Sequence, residues 1–193
     1  MLSDIRSALR PAFSLLIVFT VILGLAYPLL MTGVAQVLMP GSANGSLIER
    51  DGKVIGSELI AQGFAGPGYF HPRPSAAGAD GYDASASAGS NLAPGSKDLR
   101  NRIAKSVAET RATDKTSQVP PDLVTTSASG LDPDVSPEAA FVQVGRVAAA
   151  RGMTPAQVEE LVRQQVNQPL LGFIGEPRVN ILKLNLALDA AGG

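Results

Sequence analysis

One long apolar block opens the chain, and a polar, punctuated remainder follows it. Residues 12–31 read AFSLLIVFTVILGLAYPLLM, and from Pro11 to Ile48 there is no Asp, Glu, Lys, Arg or His. Twenty helical residues rise about 30 Å, the thickness of the hydrocarbon layer, and a helix satisfies its own backbone polar groups. The block therefore predicts one transmembrane helix over 12–31. Asp4, Arg6 and Arg10 precede it, and Glu49, Arg50 and Asp51 are the first charges beyond it. The net positive flank puts residues 1–11 in the cytoplasm and everything after Met31 outside. A cleaved signal peptide is the rival reading, with Gly33-Val34-Ala35 as the processing site. The apolar run is longer than a usual signal core, so it reads as a retained anchor.

After a connector over 32–45, residues 46–189 read as one folded domain with a short tail over 190–193. SLIERDGKVIGSELI places two β-prone runs around Asp51-Gly52, a strong signal for a tight hairpin. Ser96 caps a helix whose Leu99, Ile103 and Val107 share a face. Ser136 and Pro137 open a second helix that Gly152 closes. Thr154 and Pro155 open a third, with Val158, Leu161, Val162 and Val166 on one side. In VNILKLNLALD, the alternation of Leu182, Leu184, Leu186 and Leu188 predicts a last strand with one buried face. In GEPRVN just before it, Glu176 and Arg178 either pair or start that strand. The expected fold class is thus a mixed α/β extracytoplasmic domain anchored by one N-terminal transmembrane helix. About 150 residues suffice to bury a core without staples.

Two stretches invite a partner. Thr20, Gly24 and Pro28 recur every fourth residue, a strip along which another helix can approach closely; Pro28 also predicts a kink toward the outer end. The second stretch runs from Tyr69 to Leu99, where 16 of 31 residues are Ala, Gly or Ser. That composition suggests a linker, yet Tyr69, Phe70, His71, Arg73, Tyr82, Asp83 and Asn91 punctuate it like contacts in an ordered loop. Small residues let backbone lie against a partner, while Arg73, Tyr82, Asp83 and Asn91 supply polar and aromatic contacts. The competing reading is a loop that covers the domain's own core.

Composition narrows the chemistry. Charged residues make up 17% of the chain, below the ~25% of ordinary soluble domains, because the apolar block holds none. Formal net charge is −1, which argues against nucleic acid as a partner. There is no cysteine, hence neither disulfide nor thiolate metal site. Phosphate-cradling loops of the GxGxxG or GxxxxGK[ST] kind are missing, as are a GxSxG elbow and EF-hand spacing. Nor does a TVGYG ion filter occur. Asp114 to Ser117, DKTS, shares only its first letters with a pump's phosphorylation motif. His71 is the single histidine and defines no constellation, so it reads as structural. Asp80, Asp83, Asp132 and Asp134 could attract a cation, but their spacing fits no known site. No catalytic and no metal-ligating residue is assigned. From outside any family, a membrane-anchored hydrolase and a freestanding solute-binding module remain conceivable.

Seven segments carry a specific resemblance: GLAYPLLMTGVAQ, ANGSLI, GSELIAQGF, YFHPRPSA, SAGSNLAPGSKDL, VPPDLVTTSASGLDP and GEPRVNILKLNLALD. In this order, nearly end to end, they resemble the C-subunit family of the bacterial Kdp potassium-transporting ATPase. Ala88 and Ala93 stand where that family commonly has glycine, and Pro121 and Thr126 where it usually has alanine. The resemblance implies an inner-membrane protein with one spanning helix, a cytoplasmic N-terminus and a periplasmic domain. It implies three partners: a channel-like potassium-binding subunit, an ATP-hydrolysing pump subunit and a small single-helix subunit. Membrane lipid surrounds the anchor. ATP and potassium then belong to the complex, and this chain alone holds no cofactor. The implied role is non-catalytic, that of a catalytic chaperone that raises the ATP affinity of the pump subunit and aids assembly. The alternative is an extracellular cap or gate that shapes potassium access to the channel-like subunit.

Overall fold

The structure, a computed structural model, describes residues 2–192. Met1, Gly193 of the expected tail, and the side chains of residues 2–4, Asp4 of the charged flank among them, lie outside that description. The chain divides into two units, residues 1–47 and 48–193.

The first unit is helical from Leu2. Helix α1 (Leu2–Phe19) runs into a π-helical stretch, Thr20–Ala26, and then α2 (Tyr27–Leu38). Together they form one candidate membrane span, Ile5–Leu38, with a mean hydropathy of 2.4. The helix thus continues to Leu38 rather than stopping at Met31, and the expected connector over 32–45 begins as helix. The π-helical stretch ends just ahead of Pro28, whose missing N–H cannot bond the carbonyl four residues back. A single further turn, α3 (Pro40–Ala43), closes on the helix end. There the Asn44 and Gln36 side-chain amides exchange hydrogen bonds of 3.1 and 3.2 Å.

The second unit, from Ile48 on, opens in the hairpin of β1 (Leu47–Arg50) and β2 (Lys53–Ser57). Asp51 and Gly52 both sit in the left-handed region (φ 53° and 72°), which is what a two-residue type I′ turn requires. A long irregular segment leads to α4 (Lys97–Asp114), followed by β3 (Asp134–Val135), α5 (Pro137–Arg151), α6 (Pro155–Gln165), β4 (Val166–Asn167), β5 (Arg178–Asn180) and α7 (Ile181–Ala191). Each cap read from the sequence is in place. The Ser96 hydroxyl accepts from Leu99 N–H and that of Ser136 from Ala139 N–H. Thr154 and Gln157 form a reciprocal capping box, and Gly152 ends α5 at φ 66°.

Strands β3, β5 and β4 form a small antiparallel sheet in that order, with Val179 facing Val135 on one side and Val166 on the other. Val166 therefore belongs to β4 and not to the buried face of α6, which Val158 and Val162 provide. The core gathers Phe70, Leu123, Val135, Val144, Val147, Val158, Val162, Val179, Ile181, Leu184 and Leu188. Each such burial contributes roughly 1.5–3 kcal/mol before chain entropy is set against it.

The last element corrects the sequence reading. Leu182, Leu184, Leu186 and Leu188 lie on a helix, α7, and not on a strand; only Arg178–Asn180 is extended. The buried set is Ile181, Leu182, Leu184, Asn185 and Leu188, which apart from Leu182 is the i, i+3, i+4, i+7 stripe of a helix. Leu and Ala are strong helix formers, and the Asn180 side chain caps the first turn by accepting from Lys183 N–H at 3.1 Å.

Candidate functional site

The segment from residue 66 to 91 is ordered and folded onto the unit's own core, with Phe70 and Ala77 fully buried. Two buried side-chain amides act as substitute peptide groups. Asn185 of α7 accepts from Phe70 N–H at 2.8 Å and donates to Phe70 C=O at 3.0 Å. Gln143 of α5 does the same for His71, at 2.7 and 3.1 Å. An extended strand in a sheet is held by the same pattern of paired donors and acceptors, here supplied by two helices.

Arginines complete the clamp. Arg146 donates to the carbonyls of Pro67 (2.7 Å) and Tyr69 (2.8 Å), to Gln143 Oε1 (2.7 Å), and to Asp114 Oδ1 at the end of α4 (2.6 Å). Both members of that ion pair are 7% exposed. Arg151 donates to Gly68 C=O and to Asp189 of α7, and its guanidinium lies 4.6 Å from the centre of the Tyr69 ring. His71 Nε2 stands 3.1 Å from Gly66 C=O. Burial, with the nearby Arg146 charge second, pulls the His71 pKa below its ordinary value, so the ring is neutral and donates there.

Arg73, Tyr82, Asp83 and Asn91 fall into two groups. Arg73 turns inward, pairing with Asp132 at 3.0 Å and reaching Thr125 at 3.4 Å. Tyr82 also faces inward: its hydroxyl donates to Arg73 C=O at 2.8 Å, and burial raises its pKa. Ser75 ties this turn together by donating to Gly130 C=O and accepting from the N–H groups of Ala77 and Tyr82. Asp83 is exposed; its carboxylate accepts from the hydroxyl and N–H of Ser85, which lowers its pKa. Asn91 is exposed with φ 51°. Several small residues serve contacts within the chain. A side chain on Gly130 would meet Ala88 C=O at 2.4 Å, and one on Gly89 would meet Ala128 C=O at 3.0 Å. Along the apolar helix, Thr20, Gly24 and Pro28 are all exposed, and a Cβ at Gly24 would lie 3.9 Å from Thr20 Cγ2.

Arg73 lines a groove of about 810 Å³ together with Asp122, Asp132, Asp134, Glu138, Glu176 and Arg178 among others. Arg178 starts β5 and pairs with Asp134 at 3.0 Å, not with Glu176. Burial raises the Asp134 pKa against the opposing pull of Asn180 and Arg178. Among the described residues, no group of three or more His, Asp or Glu side chains could hold a metal ion.

Sequence reasoning missed Gln143, Arg146 and Asn185. All sit on helices amid apolar neighbours. The signal present was their polar character on faces otherwise destined for the core, which demands a hydrogen-bonding partner.

Known proteins match along nearly the whole of this architecture. The family described as KdpC, the c chain of the K+-transporting ATPase, matches residues 9–190. The chain belongs to the KdpC family. A potassium-transporting ATPase KdpC subunit of Caulobacter vibrioides is 60% identical over 185 residues, covering 95% of this chain and 93% of that protein. The KdpC subunit of Rhodopseudomonas palustris is 55% identical over 193 residues, with 94% and 96% covered. That of Allorhizobium ampelinum is 52% identical over 186 residues, with 96% and 97% covered. The matched region includes all but the first four residues of the candidate membrane span, the clamped segment and all of α4 to α6.

Proposed function

We propose that this chain is the accessory C subunit of a Kdp-type ATP-driven potassium uptake complex. It assembles with a channel-like potassium-binding subunit, an ATP-hydrolysing pump subunit and a small single-helix subunit. The observation that carries the reading is the KdpC family match over residues 9–190, which takes in both the apolar helix and the folded unit. In this reading the helix anchors the chain in the inner membrane, residues 1–11 are cytoplasmic, and the unit from Ser46 onward faces the periplasm. The chain carries no transport or hydrolysis site of its own and acts as a catalytic chaperone, raising the pump subunit's ATP affinity and aiding assembly.

The physics constrains how such a chaperone works. ATP is hydrolysed in the cytoplasm, where this chain contributes only about its first ten residues on that topology. An effect on ATP affinity must therefore cross the membrane as a coupling free energy, carried by the helix strip of Thr20, Gly24 and Pro28 or through the partners. A second reading follows from the acidic groove and the clamped segment that contributes Arg73 to it: the folded unit caps the outer mouth of the channel-like subunit and shapes potassium access. Exposed Asp83 and Asn91 are then partner contacts, while Arg73 and Tyr82 hold them in place from within.

Two measurements test this reading. A periplasm-dependent reporter fused after Asp189 should be active, and one fused before Arg10 silent; the reverse pattern overturns the orientation. Purification of the complex through the pump subunit should retain the chain, and Arg73→Ala or Asn91→Ala should reduce retention. Full retention of both variants removes this segment from the interface.

A further inference from the structure

We infer that the hairpin tip at 169–175 and the acidic groove beside it form one docking surface for a protein partner with an apolar socket edged by Lys or Arg. The inference rests on the subunit reading above and adds the chemistry of the contact. Between β4 and β5 the chain reads Pro169, Leu170, Leu171, Gly172, Phe173, Ile174, Gly175. Leu170 and Ile174 exchange backbone hydrogen bonds of 3.1 and 2.9 Å, and Leu171 and Gly172 turn the chain at φ 56° and 81°. The tip is thus a closed hairpin turn. Yet Leu170, Leu171, Phe173 and Ile174 are 68%, 75%, 76% and 51% exposed. Four such side chains present on the order of 500 Å² of apolar surface, the size at which patches mark interaction sites.

The chain leaves this tip through Glu176, Pro177 and Arg178, which line the groove of about 810 Å³. Its two arginines are answered by Asp132 and Asp134, leaving Asp122, Glu138 and Glu176 without a cationic partner among the described residues. An apolar knob beside uncompensated negative charge discriminates between occupants. Hairpins that enter a bilayer surface are flanked by Lys, Arg, Trp or Tyr; Pro169–Pro177 contains none of these, and the adjacent Arg178 is tied to Asp134 at 3.0 Å. A second copy of the chain would bring the same acidic rim against itself across a two-fold contact. A partner with cations around an apolar socket satisfies both halves. The patch is smaller than the ~800 Å² per side of a free-standing complex, so the contact suits chains already anchored in one membrane, where effective concentration is high.

The test uses the full chain with p-benzoylphenylalanine in place of Phe173, irradiated in membranes that contain the assembled complex. The expected result is a crosslink to another subunit. Leu171→Asp with Phe173→Asp, and separately Glu138→Lys with Glu176→Lys, should each weaken co-purification about tenfold, as loss of an interface anchor does. The chain has no tryptophan, so Phe173→Trp in the isolated full chain reports lipid contact through quenching by brominated lipids; none is expected. Crosslinks only to lipid or to a second copy, or unchanged co-purification of both double variants, would overturn the inference while leaving the subunit reading intact. A chain that never co-purifies with the other subunits would overturn both.

Discussion

Replacing Asn185 with leucine isolates the clamp that orders the segment above the core. The side chain is 1% exposed, and both of its bonds go to the backbone of Phe70, itself fully buried. Leucine keeps the branched outline, though it is bulkier, and it leaves Phe70 N–H and C=O without partners. Each stranded buried group costs about 1–3 kcal/mol, while the added apolar burial returns about 1–2 kcal/mol. The net loss expected is about 2–3 kcal/mol, because the segment gains some water as it loosens. Asn185→Asp should be no better, since it keeps the acceptor for Phe70 N–H but sets a carboxylate against Phe70 C=O. Urea unfolding of the full chain in detergent, followed by circular dichroism, measures the stability loss. Chymotrypsin cleavage after Phe70 measures local release, which should rise sharply. An unfolding midpoint within error of the unsubstituted chain, with Phe70 still protected, would refute the claim that this amide holds the segment.

Arg146→Met should cost about 3–5 kcal/mol, because it leaves the Asp114 carboxylate buried and unpaired; adding Asp114→Leu should recover part of the loss in the same urea assay. Gly130→Ala should destabilise by about 2 kcal/mol or more, since φ is +67° and its Cβ would strike Ala88 C=O; thermal melts of the full chain read this directly. The folded pKa of His71 lies below the unfolded value near 6.5, so its contribution is full above that pH and is lost as pH falls toward the folded value. Melting temperature should therefore fall between pH 7 and pH 5, and His71→Gln should flatten that fall. Asp134, whose pKa is raised, acts with the opposite sign and at lower pH.

Local rules carried the sequence reading where the signal was local. Ser96, Ser136, Pro137, Gly152, Thr154 and Asp51-Gly52 each impose a backbone geometry on immediate neighbours, and each did so. The strand expected in VNILKLNLALD, residues 179–189, failed because four leucines alternating over seven residues satisfy a period of two as readily as part of a helical stripe. Asn180 and the Leu/Ala composition were the arbiters. The small-residue segment was legible as ordered, but not as to what orders it. Its partners Gln143 and Asn185 lie 72 and 115 residues away from the backbone they bind, and such a pairing has no local signature. Arg73 and Tyr82 read as outward contacts because aromatic and cationic residues suit interfaces; the structure spends both on internal hydrogen bonds. The exposed hairpin at Leu170–Ile174 was hidden for the converse reason, since an apolar run reads as core.

The most direct test of the account is potassium-stimulated ATP hydrolysis by the other three subunits, with this chain present or absent at equal recovery of complex. ATP is varied first and potassium second. The accessory-subunit account predicts that omitting the chain lowers the apparent affinity for ATP while that for potassium holds. A shift in potassium affinity instead would favour the cap at the channel mouth. Identical curves for both ligands, at equal recovery, would contradict the account.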